Sequence, residues 1–140
     1  MRIVFDAITL HQSQRGSITG VVCFDFGERR QFPEADWNDF VVVIAGWWIT
    51  AMEQLGRGRA KVELRFMDGP YWITAVTQGP NVQLQCVEDR AGGGALYEVI
   101  VQRKEFEREL MSFVRQLLKA CMERNIQSPD LDELRNRLAH

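Results

Sequence analysis

The sequence predicts a single α+β domain in which an antiparallel sheet of about six strands packs against helices. Apolar residues alternate in two segments near the N-terminus and in four segments in the middle of the chain, as strands require. Two longer segments repeat apolar residues every three or four positions, as amphipathic helices do. The turns between the middle strands are too short for parallel crossovers, so the predicted order is ββαββββαα with antiparallel neighbours.

Length and charge limit the domain count and the classes of partner. A chain of 140 residues with 46% hydrophobic content fits one domain, 1–140, that buries its core without disulfides. The formal net charge of -2 argues against nucleic-acid or anionic-membrane binding, because both need clustered positive charge. No segment approaches the roughly 18 apolar residues of a membrane span, and no signal peptide is evident. We therefore expect a cytoplasmic protein.

The three cysteines predict the same reducing compartment. Cys23, Cys86 and Cys121 are odd in number, show no CxxC spacing, and each lies within an apolar periodic segment. Buried, reduced thiols are the preferred interpretation over a disulfide or a reactive site.

The first two strands form a predicted hairpin. Residues 1–10 alternate around Ile3 and Phe5, and a polar segment then ends the pattern. From Ser17 a second alternation places Ile18, Gly20, Val22, Phe24 and Phe26 on one face. We expect the two strands to pair.

A central helix follows, and Pro33 and Asp36 are interpreted as its start. Its predicted apolar stripe contains Trp37, Phe40, Val41, Ile44, Trp47, Trp48, Ala51, Met52 and Leu55. Val42 and Ile49 are expected to project from the back of this helix. The basic loop Gly56-Arg57-Gly58-Arg59 either ends the helix or contacts phosphate, and the helix end is preferred.

The loop Met67-Asp68-Gly69-Pro70 fixes the register of the middle strands. Pro70 has no N–H to close a two-residue hairpin, so Phe66 is expected to face Tyr71. The same counting, extended across the turn at Gln78 to Asn81, gives these pairs: Leu64 with Ile73, Val62 with Ala75, Arg65 with Trp72, Glu63 with Thr74, Ala75 with Leu84, Ile73 with Cys86, and Trp72 with Val87.

The last strand of the middle group spans residues 96–101. If Tyr97, Val99 and Val101 face the core, Leu96 falls beside Val87 on the outer face. The preceding segment, Asp89-Arg90-Ala91-Gly92-Gly93-Gly94, is expected to be a flexible hairpin connection. Its triple glycine resembles a phosphate-binding loop only in composition, because it leads into a strand and lacks a following Lys-Ser/Thr.

Two helices complete the chain. From Arg103 an apolar face runs from Phe106 to Met122 at helical spacing. Ser128 then predicts a helix cap, and Pro129 suits the first position of a short final helix.

Residues that could support catalysis are few. The two histidines, His11 in a turn and His140 at the last position, are poorly placed to act as general bases. Asp36 and Asp39 could form a carboxylate pair, although acids at a helix start serve the helix dipole without a catalytic role. No His, Cys or carboxylate spacing predicts a metal site. We expect no enzymatic activity and no cofactor.

The predicted register instead gathers an apolar surface. Trp72, Val87 and Leu96 become neighbours on the outer face, and Arg65 is placed for a cation–π contact with Trp72. A helix covers this face, which makes it core, or the face is open and marks a partner site. Covering by one of the two long helices is preferred, while Arg65, Asp68, Trp72, Val87 and Leu96 are the candidate partner-binding residues. For Asp68 the preferred interpretation is a turn former whose side chain bonds nearby backbone N–H groups, with a functional acid as the alternative.

Several uncommon strings resemble a known family. They are Phe32-Pro33-Glu34, Trp37-Asn38-Asp39-Phe40, Gly46-Trp47-Trp48 and Phe66-Met67-Asp68-Gly69-Pro70-Tyr71. From Phe32 to Tyr71 the chain is similar to small bacterial immunity proteins of polymorphic toxin and contact-dependent growth inhibition systems, and the helical second half matches in overall pattern. The resemblance implies a cytoplasmic, non-enzymatic inhibitor that binds the toxic C-terminal domain of a cognate effector, often a nuclease, and blocks its active site or substrate surface. No binding residues transfer, because such interfaces diverge between members.

Other functions remain open at this stage. A small-molecule or RNA-binding module could use Arg57, Arg59 and Lys61, and an enzyme could use Asp36, Asp39 or Asp68. The immunity hypothesis is preferred, with a monomer or weak dimer as the expected state.

Overall fold

The computed structural model describes residues 1–89 and 94–139, which form an α+β fold of strands and three helices. In chain order the elements are β1 Arg2–Gln12, β2 Ile18–Asp25, β3 Gln31–Phe32, β4 Asn38–Asp39, α1 Val41–Gly56, β5 Lys61–Arg65, β6 Tyr71–Gln78, β7 Asn81–Glu88, β8 Ala95–Gln102, α2 Arg103–Glu123 and α3 Pro129–Leu138. The predicted α+β class is confirmed. The strands divide into two antiparallel sheets of four, because two short strands were not predicted and the N-terminal hairpin does not join the middle strands.

The first sheet is built around β2. It pairs with β1 on one side and with the short strands β3 and β4 on the other. The predicted pairing of the first two strands is confirmed, and the alternation buries Ile18, Val22 and Phe24.

The predicted start of the central helix is wrong. Helix α1 begins at Val41, and Pro33 and Asp36 lie before it, between β3 and β4. The Trp37 carbonyl accepts the N–H of Val22 at 2.9 Å, and Asp39 pairs with Gly20. Because these residues are held in the first sheet, the chain turns into a helix only after Asp39.

The second sheet has the strand order β5-β6-β7-β8, and its register is as predicted between β5, β6 and β7. The last pairing differs by one residue. The ladder shifts between Cys86 and Val87, so Val87 lies opposite Ala95 and Leu96 is an additional residue between paired positions. The expected position of Leu96 beside Val87 is therefore wrong.

Trp48 of α1 joins the two sheets and α2. Its side chain is fully buried, and its ring centroid lies 5.2 Å from Phe24, 5.3 Å from Phe66 and 5.6 Å from Phe113. These rings come from β2, from the residue that directly follows β5 and from α2, so one indole contacts both sheets and a helix.

Helix α3 changes which face of α1 is buried. Val42 and Ile49, expected at the back of α1, are 3% and 2% exposed because α3 packs there. Arg137 of α3 donates to the Gly46 carbonyl at 3.0 Å. Trp47, assigned to the core stripe, is instead 45% exposed, so the buried stripe is rotated from the predicted one.

The C-terminal helices begin where the sequence predicted. Helix α2 starts at Arg103, and the Ser128 hydroxyl accepts the Leu131 N–H at 3.0 Å, capping α3 ahead of Pro129. Met122, assigned to the apolar face of α2, is exposed. Among the described helices, none has the length and apolar character needed to cross a bilayer.

Two hypotheses lie outside the described residues. The phosphate-loop and flexible-connection interpretations of the triple-glycine segment concern residues 90–93, and the assessment of His140 concerns the last position.

Candidate interaction surface

One face of the second sheet is left uncovered by the described residues. We call it the outer face and define it by Arg65, Trp72, Val87, Leu96 and Ile100. Along each strand it alternates with an inner face whose side chains Val62, Leu64, Ile73, Ala75, Leu84 and Cys86 are 6% exposed or less. Helices α1 and α2 contact the sheet from that inner side. The preferred expectation that a helix covers the outer face is therefore wrong.

Arg65 and Trp72 form the best-defined contact on the outer face. They are directly opposed across β5 and β6, and the Arg65 guanidinium carbon lies 4.7 Å from the centroid of the Trp72 ring. Phe66 donates its N–H to the Tyr71 carbonyl at 3.2 Å, so the next pair, Arg65 and Trp72, is non-hydrogen-bonded, the type whose side chains approach most closely. The predicted cation–π contact is confirmed.

Glu63 forms an ion pair with Arg65 beside this contact. Its carboxylate lies 2.8 Å from the Arg65 guanidinium, and both side chains are more than one third exposed. Exposed ion pairs add little stability, because solvent screens them. The guanidinium thus lies between the Glu63 carboxylate and the Trp72 indole, and a partner that docks on this face meets both the charge and the ring.

Aliphatic side chains extend the outer face towards β8. Val87 is half-buried opposite Trp72, whereas Leu96 and Ile100 are 53% and 58% exposed. Between them the Gln83 amide donates to the Glu98 carboxylate at 2.8 Å. The face therefore combines an aromatic and aliphatic strip with oriented polar groups, the composition typical of protein interfaces.

Asp68 lies in the turn between β5 and β6, outside this strip. Its backbone N–H donates to the two carboxylate oxygens of Asp39, at 3.3 and 3.2 Å, whereas among the described residues its own carboxylate accepts none of the nearby backbone N–H bonds that the turn-forming interpretation expects. The Asp68 side chain itself is exposed. Its predicted role in partner binding stays a prediction.

Asp39 differs from Asp36 in that it is buried and both of its carboxylate oxygens accept hydrogen bonds. Its carboxylate accepts hydrogen bonds from the Trp37 indole at 2.9 Å, from the Phe40 N–H at 2.7 Å and from the Asp68 N–H. Asp36 is exposed in the segment before β4. Asp39 thus acts as a structural acceptor that links β4 to the β5–β6 turn.

A groove adjoins the edge of the outer face. Trp47, Thr50, Ala51 and Gln54 of α1 line about 350 Å³ together with Glu63 and Arg65 of β5. The exposed indole of Trp47 therefore continues the apolar surface around the β5 edge, on the far side of Arg65 from Trp72.

Two further clefts lie on the other side of α1. One of about 280 Å³ separates α1 from α3, where Trp47 and Arg137 are among its lining residues. The other, of about 400 Å³, lies between the β1–β2 turn and the N-terminal ends of α1 and α3, and Arg15 and Asp130 contribute opposite charges to it. Both clefts are open to solvent.

The basic loop after α1 has the geometry of a helix end. The Arg57 N–H donates to the Glu53 carbonyl and the Arg59 N–H donates to the Gln54 carbonyl, each at 3.0 Å, while Gly58 adopts a φ of 97°. These bonds satisfy carbonyls that the helix leaves free, as predicted by the helix-end interpretation. Arg57, Arg59 and Lys61 are exposed.

The cysteines are free and buried, as predicted. Burial raises the pKa of the Cys23 thiol to about 11 and that of Cys86 to about 12, and it also raises the pKa of Cys121. At neutral pH these thiols are protonated, which makes them poor nucleophiles and poor metal ligands. Among the described residues no group of three or more His, Cys, Asp or Glu side chains is placed to hold a metal ion.

Two exposed residues were missed by the sequence-based assignment of the surface. Ile100 follows from the same alternation that placed Leu96 outside, because Tyr97, Val99 and Val101 face inward. Trp47 could not be found this way, because its exposure depends on which face of α1 is covered by α3.

The chain matches no family model, no curated protein and no solved structure. The outer face is therefore interpreted from its own residues.

Proposed function

We propose that this protein is a cytoplasmic immunity protein that neutralises a cognate toxin domain by binding it through the outer face. The observation that carries the proposal is the uncovered strip from Trp72 to Ile100, with Arg65 held over the indole. Trp and Arg are the residues that most often dominate binding energy at protein interfaces. The resemblance of residues 32–71 to immunity proteins supports the choice of partner.

Neutralisation of this kind works by steric exclusion. A rigid sheet face loses little conformational entropy on binding, because its backbone is fixed by the ladder and its side chains are already placed. The toxin surface that docks on the strip becomes inaccessible to substrate, which requires no reactive group from the inhibitor. The exposed Glu63 and Glu98 carboxylates suit a partner with a basic surface, such as a nuclease domain that binds phosphate.

The test is co-expression with the C-terminal domain of the protein encoded immediately upstream. We expect the wild-type chain to bind that domain in a pull-down and to rescue growth of cells that express it. Leu96→Asp should weaken both, because it places a charge in the apolar strip. Ile8→Asp is the matched control, since Ile8 is an aliphatic residue that is 83% exposed on β1 in the other sheet. Absence of both binding and rescue by the wild-type chain would overturn the proposal.

A further inference from the structure

The free edge of β8 differs from the other long edges of the two sheets. Arg103 donates its N–H to the Pro80 carbonyl at 3.0 Å, and hydrogen-bonded pairs alternate along an antiparallel ladder. Ile100, opposite Gln83, and Glu98, opposite Gln85, lie three and five positions from Arg103. Because these are odd numbers of steps from a hydrogen-bonded pair, residues 98 and 100 occupy non-hydrogen-bonded positions towards β7. Their N–H and C=O groups therefore point away from the sheet, along its free edge.

Three outward backbone groups of β1 are bonded to side chains of α2 and of its C-terminal end. Glu109 accepts the N–H of Ile3 at 3.2 Å. The Arg124 guanidinium donates to the carbonyls of Leu10 and Ile8. A second strand could not pair with this edge without breaking these bonds, which is one way in which proteins protect sheet edges.

The edge of β5 is protected in a similar way. The Trp48 indole donates to the outward carbonyl of Arg65 at 2.8 Å. Helix α1 also packs along this strand, so its edge is partly covered.

No such protection is present at β8 among the described residues. Its only strand neighbour there is β7, and no described side chain is bonded to the outward groups of Glu98 or Ile100. The Glu98 carboxylate accepts a hydrogen bond from the Gln83 side chain within its own sheet and so does not bond to the outward backbone groups of β8. Leu96 and Ile100 are exposed beside this open backbone.

We infer that the β8 edge binds an extended segment of the partner protein, which adds a fifth strand to the second sheet. This inference rests on the proposed function and specifies how the partner is held. Outward N–H and C=O groups would bond to the backbone of the added strand, and alternate side chains would decide which segment fits. On the outer face the segment carries apolar residues beside Leu96 and Ile100 and a basic residue opposite Glu98.

Charge favours such a partner over a second copy of this chain. Two-fold pairing of β8 with itself that uses the outward groups places Glu98 opposite its own copy, opposite Ile100 or opposite Gln102. In the first register two carboxylates face each other, and in the second they lie diagonally on the same face, about 7–8 Å apart. In the third register the carboxylates lie further apart, but Glu98 faces an uncharged amide and gains no ion pair. A segment with a basic residue opposite Glu98 avoids the repulsion of the first two registers and gains an ion pair that none of the three provides.

The probe for this inference is the synthetic peptide acetyl-Val-Thr-Val-Thr-Lys-Thr-Val-Thr-Val-amide, which places valines and one lysine on one face of a strand. We expect the peptide to bind the full chain and to slow amide hydrogen exchange at Glu98 and Ile100. Ile100→Pro should weaken peptide binding about tenfold, because it removes an outward N–H without removing a bond to β7. Lys61→Pro is the matched control, since the Lys61 N–H also points away from its sheet, at the β5 edge, and binding should stay unchanged.

A charge exchange tests the same site without a proline. Glu98→Lys should lose affinity for the lysine peptide and prefer the same peptide with glutamate in place of lysine. If neither peptide slows exchange at Glu98 and Ile100, strand addition at β8 is overturned. If the free protein dimerises with these amides protected, the occupant is a second copy and the inference is equally overturned.

The complex with the upstream-encoded toxin domain separates this inference from the proposed function. If the complex forms, leaves exchange at Glu98 and Ile100 of the wild-type chain unchanged, and forms as tightly with Ile100→Pro as with wild type, the toxin binds elsewhere and only the strand-addition inference fails. If no complex forms while the lysine peptide binds at β8, the proposed immunity function fails and the strand-binding edge stands.

Discussion

The Asp39 carboxylate, 1% exposed, accepts the backbone N–H of Asp68 at 3.2 Å and so joins the first sheet to a turn of the second. The same carboxylate accepts two other N–H groups, from Trp37 and Phe40. A single side chain therefore positions the entry to α1 and the loop between β5 and β6, next to the end of the outer face.

Asp39→Ala is expected to destabilise the fold. The three donors are partly buried or exposed, and leaving a buried donor without an acceptor costs about 1–3 kcal/mol, so the free energy of unfolding should fall by about 2 kcal/mol in total. Urea unfolding measures this. Asp36→Ala is the control, because Asp36 is exposed and its loss should change stability by about 0.5 kcal/mol or less. Equal effects of the two substitutions would show that the Asp39 bonds are not stabilising.

Gly69→Ala is expected to be more damaging than Gly79→Ala. Both glycines have positive φ, 75° and 57°, so alanine strains each backbone by about 1–2 kcal/mol. At Gly69 an added Cβ would lie 2.8 Å from the Trp37 ring, whereas at Gly79 it meets nothing within 4 Å. The difference between the two unfolding free energies isolates the contact with Trp37, and a difference near zero would mean that the indole moves aside freely.

The sequence predicts most of the second sheet because local chemistry decides it. Pro70 excludes a two-residue hairpin, and alternation on both sides of the turn then fixes which residues face each other. The one-residue shift at Val87 is not visible in that alternation. An additional residue fits into a strand where the neighbouring side chains are exposed, because exposed side chains can point to either face of the sheet. The outer face was thus predictable in composition, while the exposure of Leu96 depended on the fold.

Long-range partners explain the main error. Asp39 satisfies the sequence rules for an acid near a helix start, yet its backbone pairs with Gly20 and its side chain with Asp68. Both partners are distant in sequence, so no local pattern reveals them. Likewise, Ile49 fits an exposed back face or a buried one equally well until α3 is placed against it.

Stability should decline in alkaline solution because of the buried thiols. Burial raises the pKa of Cys23 to about 11 and of Cys86 to about 12, whereas the thiols of the unfolded chain ionise near 9. The stabilisation is therefore fully present below pH 9 and is lost as the pH rises through about 11 to 12. Between those limits the slope is at most about 1.4 kcal/mol per pH unit for each thiol.

Urea unfolding at pH 8, 9 and 10 checks this dependence. The double variant Cys23→Ala with Cys86→Ala should show a smaller decline with pH, even if its absolute stability is lower because small cavities remain. A slope identical to that of the wild-type protein would assign the alkaline loss of stability to other groups.

Trp72→Ala is expected to reduce partner binding while leaving the fold stable. The indole is half-buried on a face that no described helix covers, so its loss opens no core cavity. At a hot spot the truncation costs about 2 kcal/mol or more, which corresponds to a dissociation constant raised about thirtyfold. Calorimetric titration with the upstream-encoded toxin domain measures this loss.

Trp47→Ala distinguishes which side of Arg65 the toxin occupies. Trp47 is the exposed indole of the adjoining groove, and its truncation removes a similar ring from the other side of the guanidinium. If binding depends on the outer face, Trp72→Ala weakens it strongly and Trp47→Ala only slightly, with both variants unfolding near the wild-type temperature. A large loss with Trp47→Ala alone would move the interface to the groove beside α1, and a sharp fall in thermal stability with Trp72→Ala would show that its indole supports the fold instead of a partner.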